Sequence, residues 1–423
     1  MSLPHSLRAF RHRDYRLWYV GQGVAQTGTW LQLIATSWLI YELTGSAFLL
    51  GLAAFAQHIP MLVLGPFAGV WVDRVKKRRV LMITQTVALA QSLVMLALVA
   101  LGHVEAWHLV LSNLALGLVN AFDSPARQAQ LVELVGGRDD LPNAIAFSSV
   151  LMNGARFVGP MIGGWVIAVF GVVWGFALNS IMRGAVILAL WLIRATPRPT
   201  EKGEEGLIAQ LAEGMRYAYG FLPTRSALLL LAAVSFAVQP YQSLAPYFAR
   251  DVYQGGSEVL GYLIGAGGLG ALSGMAFLAG RTSVRGFLSQ IPLSAGGAGL
   301  ALIVFSFSGS LWVGLPMLYF VGMGAMVTAA STNTVLQTIV EDRMRARVVS
   351  LYMMSFLGVL PVGALLAGML AERIGPPATL ALGGALALAA ALAYWMTLPR
   401  IREAIRPVYE KLGIVPRSDE STD

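Results

Sequence analysis

The sequence predicts an all-α membrane protein with twelve transmembrane helices in two six-helix bundles. Of its 423 residues, 56% are hydrophobic and 12% are charged, whereas about a quarter of a soluble domain is charged. A helix needs about 20 mostly apolar residues to cross a bilayer. Twelve segments meet that need, at residues 17–43, 46–72, 80–101, 107–132, 143–170, 172–193, 226–249, 259–279, 286–307, 311–338, 347–371 and 376–398.

The basic residues predict the orientation. With the N-terminus in the cytoplasm, 25 of the 30 Lys and Arg fall in cytoplasmic segments, and only Arg250 and Arg373 fall outside. Cytoplasmic connections are enriched in Lys and Arg, so both termini are expected in the cytoplasm of a multi-pass inner-membrane protein. The net charge of +8 sits at helix ends, which indicates lipid headgroups as partners rather than nucleic acid.

Two internal matches indicate two related halves. Residues 280–285 correspond to 73–78 at an offset of 207, and 368–375 correspond to 164–171 at an offset of 204. Between the halves, a short polar stretch precedes apolar residues at helical spacing, typical of an amphipathic interfacial helix. The predicted division is an N-terminal bundle (1–194), a cytoplasmic linker with an amphipathic helix (195–224), a C-terminal bundle (225–398) and a cytoplasmic tail (399–423).

A signature in the loop between the second and third spans resembles one of the major facilitator superfamily of transporters. It consists of Gly69, Asp73, Arg74, Lys77 and Arg78 at the spacing that the family shows, although Lys76 stands where the family usually has Gly. The resemblance implies two parallel-repeat bundles that alternate access to a central site. Because Lys77 and Arg78 could meet Glu133 at the end of the fourth span, we also expect this loop to close a cytoplasmic gate. The alternative is an ordinary basic topology anchor.

Further motifs resemble the exporter branch of that superfamily. Gly159, Pro160, Gly163 and Gly164 look like the motif of its antiporters and exporters, which bends a helix; ordinary small-residue packing is the alternative. The stretch 120–128 resembles the bacterial enterobactin-exporter-like subgroup. Where the family usually has an intramembrane Arg, this chain has Asn113, which leaves the coupling mechanism open.

Asp123 is the acidic residue that lies clearly inside the predicted spans, and Glu42 lies near the outer end of the first span. Arg127 follows Asp123 by four positions, one helical turn away on the same face. A permanent ion pair would make Asp123 structural, whereas a pair that opens would let the buried carboxyl take up a proton. Asp123, Arg127 and Glu42 are therefore the proton-coupling candidates.

Other polar side chains within the spans are candidates for a substrate cavity, because polar groups in lipid tend to face the interior of a bundle. For a single Gln or Asn the alternative is a hydrogen bond between helices. The candidates are Gln22, Gln26, His58, Asn153, Arg156, Asn179, Arg183, Gln239, Gln242 and Asn333.

No hydrolytic, redox, phosphate-loop or metal-ligand motif occurs in the sequence, and cysteine is absent. We therefore expect a secondary transporter without cofactors rather than an enzyme. The most specific expectation is a proton-coupled exporter of a small amphipathic molecule, such as a siderophore or a drug, that functions as a monomer. The alternatives are uptake, lipid flipping between leaflets, and a non-transporting membrane sensor or assembly factor.

Overall fold

Helices dominate the computed structural model, which describes residues 5–135, 139–194, 207–281 and 283–414. Strands are absent from these residues. After a short 3₁₀ helix (His5–Arg11), the first half contains α1 (Arg13–Thr44), α2 (Ala47–Asp73), α3 (Lys77–Ala100), α4 (Ala106–Leu134), α5 (Leu141–Phe170) and α6 (Val172–Leu192). The second half contains α7 (Leu207–Gly220), α8 (Leu222–Val238), α9 (Tyr241–Tyr247), α10 (Ser257–Ala279), α11 (Phe287–Ser306), α12 (Leu311–Ile339), α13 (Asp342–Met353), α14 (Leu360–Ile374) and α15 (Pro376–Lys411).

Two of the predicted spans are interrupted by proline. Pro240 separates α8 from α9, and a π-helical turn at Phe248–Val252 follows Pro246. A second π turn, Met354–Gly358, joins α13 to α14 just before Pro361. Proline removes a backbone donor and pushes its ring against the preceding turn, which locally widens the helix. The continuous stretches Leu222–Val252 and Asp342–Ile374 are still long enough to cross a membrane, at 31 and 33 residues.

Ten helical stretches in the described part of the chain are long and apolar enough to cross a membrane. The all-helical membrane fold is thus confirmed, although this criterion does not reproduce the count of twelve. α1 and α4 fall short because they carry the polar groups of the interior. Their buried polar side chains are Gln22, Gln32 and Thr36 on α1, and Ser112, Asn113, Asp123 and Gln130 on α4.

The outer surface of the helices is apolar and bordered by tryptophan. Trp107, Trp174 and Trp312 are exposed at the starts of α4, α6 and α12. Trp71 and Trp191 are exposed at the ends of α2 and α6. Tryptophan is enriched at both membrane–water interfaces, so this arrangement fits a protein embedded in a bilayer.

The helices form two compact units. The first contains Met1–Gly203 and Gln242–Gly268, and the second contains Glu204–Tyr241 and Leu269–Asp423. The segment 242–268 joins the first unit because the start of α10 packs on α5. The Ser257 hydroxyl donates to the Gly164 carbonyl at 3.0 Å, and a Cβ on Gly261 would lie 2.6 Å from the Pro160 carbonyl oxygen. The predicted bundle boundaries follow the sequence repeat, whereas these units follow contacts.

In the first unit, the N-terminal segment docks on the start of α5. The Asn143 side chain accepts from the Ala9 amide at 3.0 Å. The Asp140 carboxylate lies 2.9 Å from the His12 ring and 3.5 Å from the Arg8 guanidinium. The hydrogen bond from His12, followed by the nearby positive charges, lowers the pKa of Asp140 below its ordinary value. We call this contact the N-terminal clasp.

In the second unit, α7 docks on α13. The Glu213 carboxylate lies 2.5 Å from the Arg347 guanidinium and 3.9 Å from that of Arg343. Ala218 is buried at 2% exposure, whereas Met215 is 45% exposed. A helix thus occupies the predicted position and packs in part on α13, and its lying along the cytoplasmic leaflet stays a prediction. The side chains of 207–212 lie outside the described structure, as do the linker 195–206 and the end of the tail, 415–423.

Candidate functional site

The Asp123 carboxylate is buried within the first unit, at 2% exposure. Its Oδ1 atom accepts hydrogen bonds from the Thr84 hydroxyl and the Gln85 amide, both at 2.8 Å. Its Oδ2 atom lies 3.7 Å from Nη2 of Arg127. The structure thus contains the i,i+4 pair that the spacing predicts, although Pro125 lies between its members. Asp123 is fixed by two neutral donors on α3 and paired more loosely with a cation on its own helix.

A second guanidinium, which is buried, is linked to this carboxylate through Gln85. Arg183 on α6 donates from Nη1 to the Gln85 side-chain oxygen at 2.9 Å, and from Nη2 to the Thr29 hydroxyl at 3.3 Å. Arg127 donates to the Gln22 side-chain oxygen at 3.4 Å. Side chains from α1, α3, α4 and α6 therefore form one group, which we call the Asp123 cluster. It consists of Gln22, Thr29, Thr84, Gln85, Asp123, Arg127 and Arg183.

The Asp123 cluster carries two guanidinium groups and one carboxylate. With Asp123 ionised, its formal charge is +1. A charge held away from water is costly unless it is compensated. The cluster is consequently suited to bind an anion, and its carboxylate is suited to exchange a guanidinium partner for a proton.

A layer of neutral amides and hydroxyls lies next to the Asp123 cluster in the same four helices. Asn179 donates to the side chains of Gln32 and Ser92, the latter at 3.0 Å. Gln32 in turn donates to Gln91 at 3.1 Å, and Gln91 donates to Ser112. Asn179 has 0% exposure, so in this structure it links helices rather than lining an open cavity.

The predicted cavity residues thus fall into separate groups. Gln22 and Arg183 belong to the Asp123 cluster, and Asn179 belongs to the amide layer. On α5, Asn153 donates to the Ser149 carbonyl at 2.8 Å. The remaining candidates are not brought into either group: Gln26, Arg156, Gln239 and Gln242 are half-buried, His58 is exposed with a ring nitrogen 2.8 Å from the Ala54 carbonyl, and Asn333 accepts from Gln337 at 3.0 Å.

The predicted gating residues lie at the turn between α2 and α3. Arg78 donates to the carbonyls of Leu190 and Trp191 at 2.8 and 2.7 Å, so it caps the end of α6. Gly69 faces open space, and Asp73 is the last residue of α2, with its side chain outside the described structure. Of the charged members, Arg74 is exposed, Lys77 is buried and Glu133 is half-buried. Their role as a gate stays a prediction.

The predicted helix-bending motif packs closely on two sides. A Cβ on Gly159 would lie 2.6 Å from Cβ of Trp30 on α1, and one on Gly164 would lie 2.4 Å from the Ser257 carbonyl oxygen. Gly163 faces the Leu31 backbone at 3.1 Å. On the α10 side, the facing surface is a row of glycines that the sequence reasoning missed, although their spacing was visible. This row consists of Gly261, Gly265 and Gly268.

Sequence reasoning also missed Thr84 and Gln85, the two donors to Asp123. Their signal was available, since Thr84, Gln85, Gln91 and Ser92 recur at helical spacing within an apolar span. Glu42, the second proton candidate, is exposed. The neighbouring Tyr41 hydroxyl instead donates to Asp251, an acid that no sequence pattern singles out.

Among the described residues, no group of three or more His, Asp or Glu side chains that could hold a metal ion occurs. The arrangement can hold and exchange charge among Asp123, Arg127 and Arg183. Such chemistry is typical of transport rather than of bond cleavage.

Comparison with known proteins agrees with this interpretation. Residues 5–411 match the family described as transmembrane secretion effector, a family of the major facilitator superfamily. The multidrug efflux pump Tap of Mycobacterium tuberculosis is 29% identical over 411 residues, covering 94% of each chain. The enterobactin exporter EntS of Escherichia coli is 26% identical, covering 88% of this chain and 89% of that protein.

Two further similarities concern another transporter and the fold. The staphyloferrin A transporter of Staphylococcus aureus is 24% identical, covering 84% of this chain and 89% of that protein. A bacterial homologue of the lysosomal transporter Spinster, solved in an inward-facing and occupied conformation, superposes with a TM-score of 0.68 at 17% identity. That match covers 93% of this chain and 97% of the solved one. The chain therefore belongs to the transmembrane secretion effector family of the major facilitator superfamily, and it is a multi-pass membrane transporter.

Proposed function

We propose that this transporter exports a small amphipathic molecule, a siderophore or a drug-like compound, in exchange for protons. It would function by alternating access and as a monomer. Export is supported by two relatives, one named as a multidrug efflux pump and one as an enterobactin exporter. Proton coupling is supported by a single observation, the buried carboxylate of Asp123, which pairs with Arg127 and is linked to Arg183 through Gln85.

The two members of the ion pair differ in their freedom to move. The Asp123 side chain is 3% exposed, whereas that of Arg127 is 17% exposed. Asp123 is also fixed by two hydrogen bonds of 2.8 Å, while Arg127 reaches its neighbours only at 3.4 and 3.7 Å. Arg127 is therefore the partner that leaves. A buried carboxylate without its cation favours the protonated form, so departure of Arg127 would prepare Asp123 to take up a proton.

Protonation of Asp123 would itself provide the reason for Arg127 to leave, because a neutral carboxyl no longer holds the guanidinium. The freed Arg127 side chain would compete with the bound substrate and displace it, and loss of the proton to the cytoplasm would draw Arg127 back to Asp123 and let the next substrate bind. The proton and the substrate would then exclude one another, as exchange requires. A ligand shifts a conformational equilibrium only by its differential affinity, and this exchange of partners supplies that difference.

The test uses purified protein in proteoliposomes with an imposed pH gradient, screened against siderophores, dyes and antibiotics. Asp123→Asn retains the shape of the side chain but cannot carry a proton. We expect it to abolish gradient-driven transport while preserving downhill exchange of substrate. The matched control, Glu42→Gln, removes the exposed second candidate and should leave both activities intact.

Other outcomes would redirect the proposal. Gradient-driven transport that survives Asp123→Asn but fails in Glu42→Gln would move the proton to Glu42. Loss of folded Asp123→Asn protein would favour a structural ion pair. If no compound produces a substrate-dependent proton leak in the unaltered protein, proton-coupled export is wrong and a sensor becomes the better description.

We further propose that the protein lies in the inner membrane with both termini in the cytoplasm. Because the chain has no cysteine, single cysteines can report sidedness directly. Lys76 and Glu105 are exposed beyond opposite ends of α3. A cysteine at position 76 should label from the cytoplasmic side and one at position 105 from the outside; the reverse result would invert the topology.

A further inference from the structure

A small polar pocket adjoins Arg183 inside the first unit. It is formed by residues of α1, α2, α4 and α6. Its volume is about 10 Å³, close to the space that one water-sized particle requires. Its polar wall consists of amides and hydroxyls together with the Arg183 guanidinium, and it contains no carboxylate.

Several donors of this pocket are uncommitted. Nε of Arg183 is buried and has no hydrogen-bond partner among the described residues, although the side chain is only 5% exposed. Thr36, Gln57 and Asn120 also line the pocket, and their side chains make no hydrogen bond to the described part of the chain. A buried donor without a partner costs about 1–3 kcal/mol, more when it is charged. The pocket therefore calls for an acceptor.

Charge decides which kind of acceptor fits. The neighbouring Asp123 cluster has a formal charge of +1, and Asp123 itself is already occupied by Thr84 and Gln85. A cation in the pocket would be repelled by Arg183. A water would satisfy some donors but would leave the excess charge. A small anion would accept from the donors and neutralise the charge together.

We propose that this pocket binds a single monatomic anion, chloride in the cell. The anion is held by Nε–H of Arg183, the amide groups of Gln57 and Asn120, and the hydroxyl of Thr36. It brings the cluster of Arg127, Arg183 and Asp123 to electrical neutrality while Asp123 is ionised. The proposal goes beyond proton-coupled export, because it concerns a resident ion and requires no substrate.

The experiment measures thermal unfolding of the purified protein in detergent at constant ionic strength, without substrate or pH gradient. Potassium gluconate is replaced stepwise by potassium chloride or bromide. We expect Tm to rise and then saturate with either halide, because a ligand of the folded state stabilises it by mass action. An equal Tm in gluconate and in both halides would overturn the proposal and leave a water in the pocket.

Three variants locate the effect. Thr36→Val and Asn120→Leu remove donors without changing charge, and each should weaken the halide dependence of Tm at least tenfold in concentration. The matched control is Thr86→Val on α3, whose hydroxyl is exposed and donates within its own helix at 2.8 Å; it should respond like the unaltered protein. A full halide response in both pocket variants would contradict this site.

Gln57→Glu tests the charge argument even if the donor variants fail to fold. It places a carboxylate of its own in the pocket, so it should substitute for the anion. We expect its Tm to be independent of halide and, in gluconate, to lie above that of the unaltered protein. A Tm that still rises with chloride as in the unaltered protein would rule out an anion at this position.

Discussion

The interiors of the two units differ in chemistry. The first unit buries an acid and two cations, Asp123, Arg183 and Lys77, together with several amides. In the described part of the second unit, the polar residues that are buried as a whole carry hydroxyls, and the half-buried Gln290 adds an amide with buried atoms. The hydroxyl residues are Thr224, Ser235, Ser306, Thr328, Ser331, Thr332 and Thr379. A hydroxyl can satisfy itself on a carbonyl of its own helix, whereas an amide or a charge requires another helix. The first unit therefore buries charged side chains, whereas the buried polar residues described in the second unit are uncharged.

A helix–helix contact at corresponding positions of the two units also shows this difference. In the first unit, the hydroxyl of Ser180 on α6 donates to that of Ser92 on α3 at 2.9 Å. In the second unit, Gly299 on α11 lies 207 positions after Ser92, and Gly384 on α15 lies 204 positions after Ser180. The backbones of these two glycines touch, since a Cβ on Gly299 would lie 2.6 Å from the Gly384 carbonyl oxygen. One unit joins these helices by hydrogen bonds, and the other joins them by close approach.

The two units share one feature outside this contact, a hydrogen bond from an arginine to a carbonyl at a helix end. Arg78 at the start of α3 donates to carbonyls at the end of α6. Arg285, 207 positions later, donates to the Ile414 carbonyl beyond α15. In each unit, an arginine near the start of the third span thus donates to a carbonyl at the end of α6 or just beyond the end of α15. The two halves thus share these arginine hydrogen bonds but differ in their buried side chains. Substitutions of buried residues should therefore change the stability of the two units by different amounts.

The largest effect is expected for Asp123→Ala. This substitution removes the carboxylate that pairs with the half-buried Arg127 guanidinium and accepts from Thr84 and Gln85, and it raises the formal charge of the cluster from +1 to +2. Removing one partner of a buried charged pair costs about 3–5 kcal/mol, so Tm in detergent should fall strongly. Thr328→Ala is the comparison in the second unit, since Thr328 is equally buried and bonds to the Gly324 carbonyl at 2.8 Å; it should cost far less. Equal losses would mean that the two interiors are energetically alike.

An intermediate effect is expected for Gly299→Ser, which installs in the second unit the residue that the first unit has at this position. The new Cβ would lie 2.6 Å from a backbone oxygen of α15, so the helices must separate. Overpacking of this kind costs about 1–3 kcal/mol, measured by thermal unfolding in detergent. Gly297→Ser is the control, because nothing lies within 4 Å of a Cβ at that position. If Gly299→Ser were as stable as the control, close helix approach would not hold the second unit.

The sequence predicted the features that depend on residues close together in the chain. Long apolar segments predicted the membrane helices, and the spacing of Asp123 and Arg127 predicted their ion pair. Residues separated by many positions were harder to place. Nothing in the sequence indicated that Gln85 would join Asp123 to Arg183, because this requires knowing which faces of α3, α4 and α6 meet.

Proline and polar helices also limited the sequence prediction. The π turns after Pro246 and before Pro361 depend on how neighbouring helices satisfy the freed carbonyls. Asn179 and Arg183 are four positions apart on α6 and were equivalent as cavity candidates. They differ in the structure because Asn179 bonds to Gln32 and Ser92 of the amide layer, whereas Arg183 bonds to Thr29 and to Gln85, which in turn donates to Asp123.

A smaller effect is expected for Ser92→Ala. The Ser92 hydroxyl accepts from Asn179 at 3.0 Å and from Ser180 at 2.9 Å, and the substitution leaves both donors short of a partner. Hydrogen bonds between membrane helices contribute about 0.6 kcal/mol on average and about 1.7 at most. A modest fall in Tm is therefore expected. Ser180→Ala should give a similar loss, and the double variant should lose less than the sum because the two share a bond.

The smallest effect concerns two ion-pair contacts, the N-terminal clasp of the first unit and the contact between α7 and α13 in the second, which we call the α7 clasp. The acidic and basic partners are exchanged between the two clasps. In the first, cations of the N-terminal segment meet Asp140 at the start of α5. In the second, Glu213 of α7 meets Arg347 of α13, and position 347 follows Asn143 of the N-terminal clasp by the same offset of 204. Exposed ion pairs contribute little, so neither clasp should change global stability appreciably. Their opening should be visible locally.

The N-terminal clasp should open in acid. The pKa of Asp140 is lowered in the folded protein, chiefly by the hydrogen bond from His12. A carboxyl of lowered pKa stabilises the fold above its unfolded pKa of about 3.9, and this contribution disappears as the pH falls through the folded value. Hydrogen exchange of residues 8–16, corrected for intrinsic rates, should therefore be slow at about pH 5 and accelerate below about pH 4. Asp140→Asn should exchange fast throughout this range, while exchange in α7 should be the same in both proteins. Acceleration at low pH that persists unchanged in Asp140→Asn would show that another group opens the clasp.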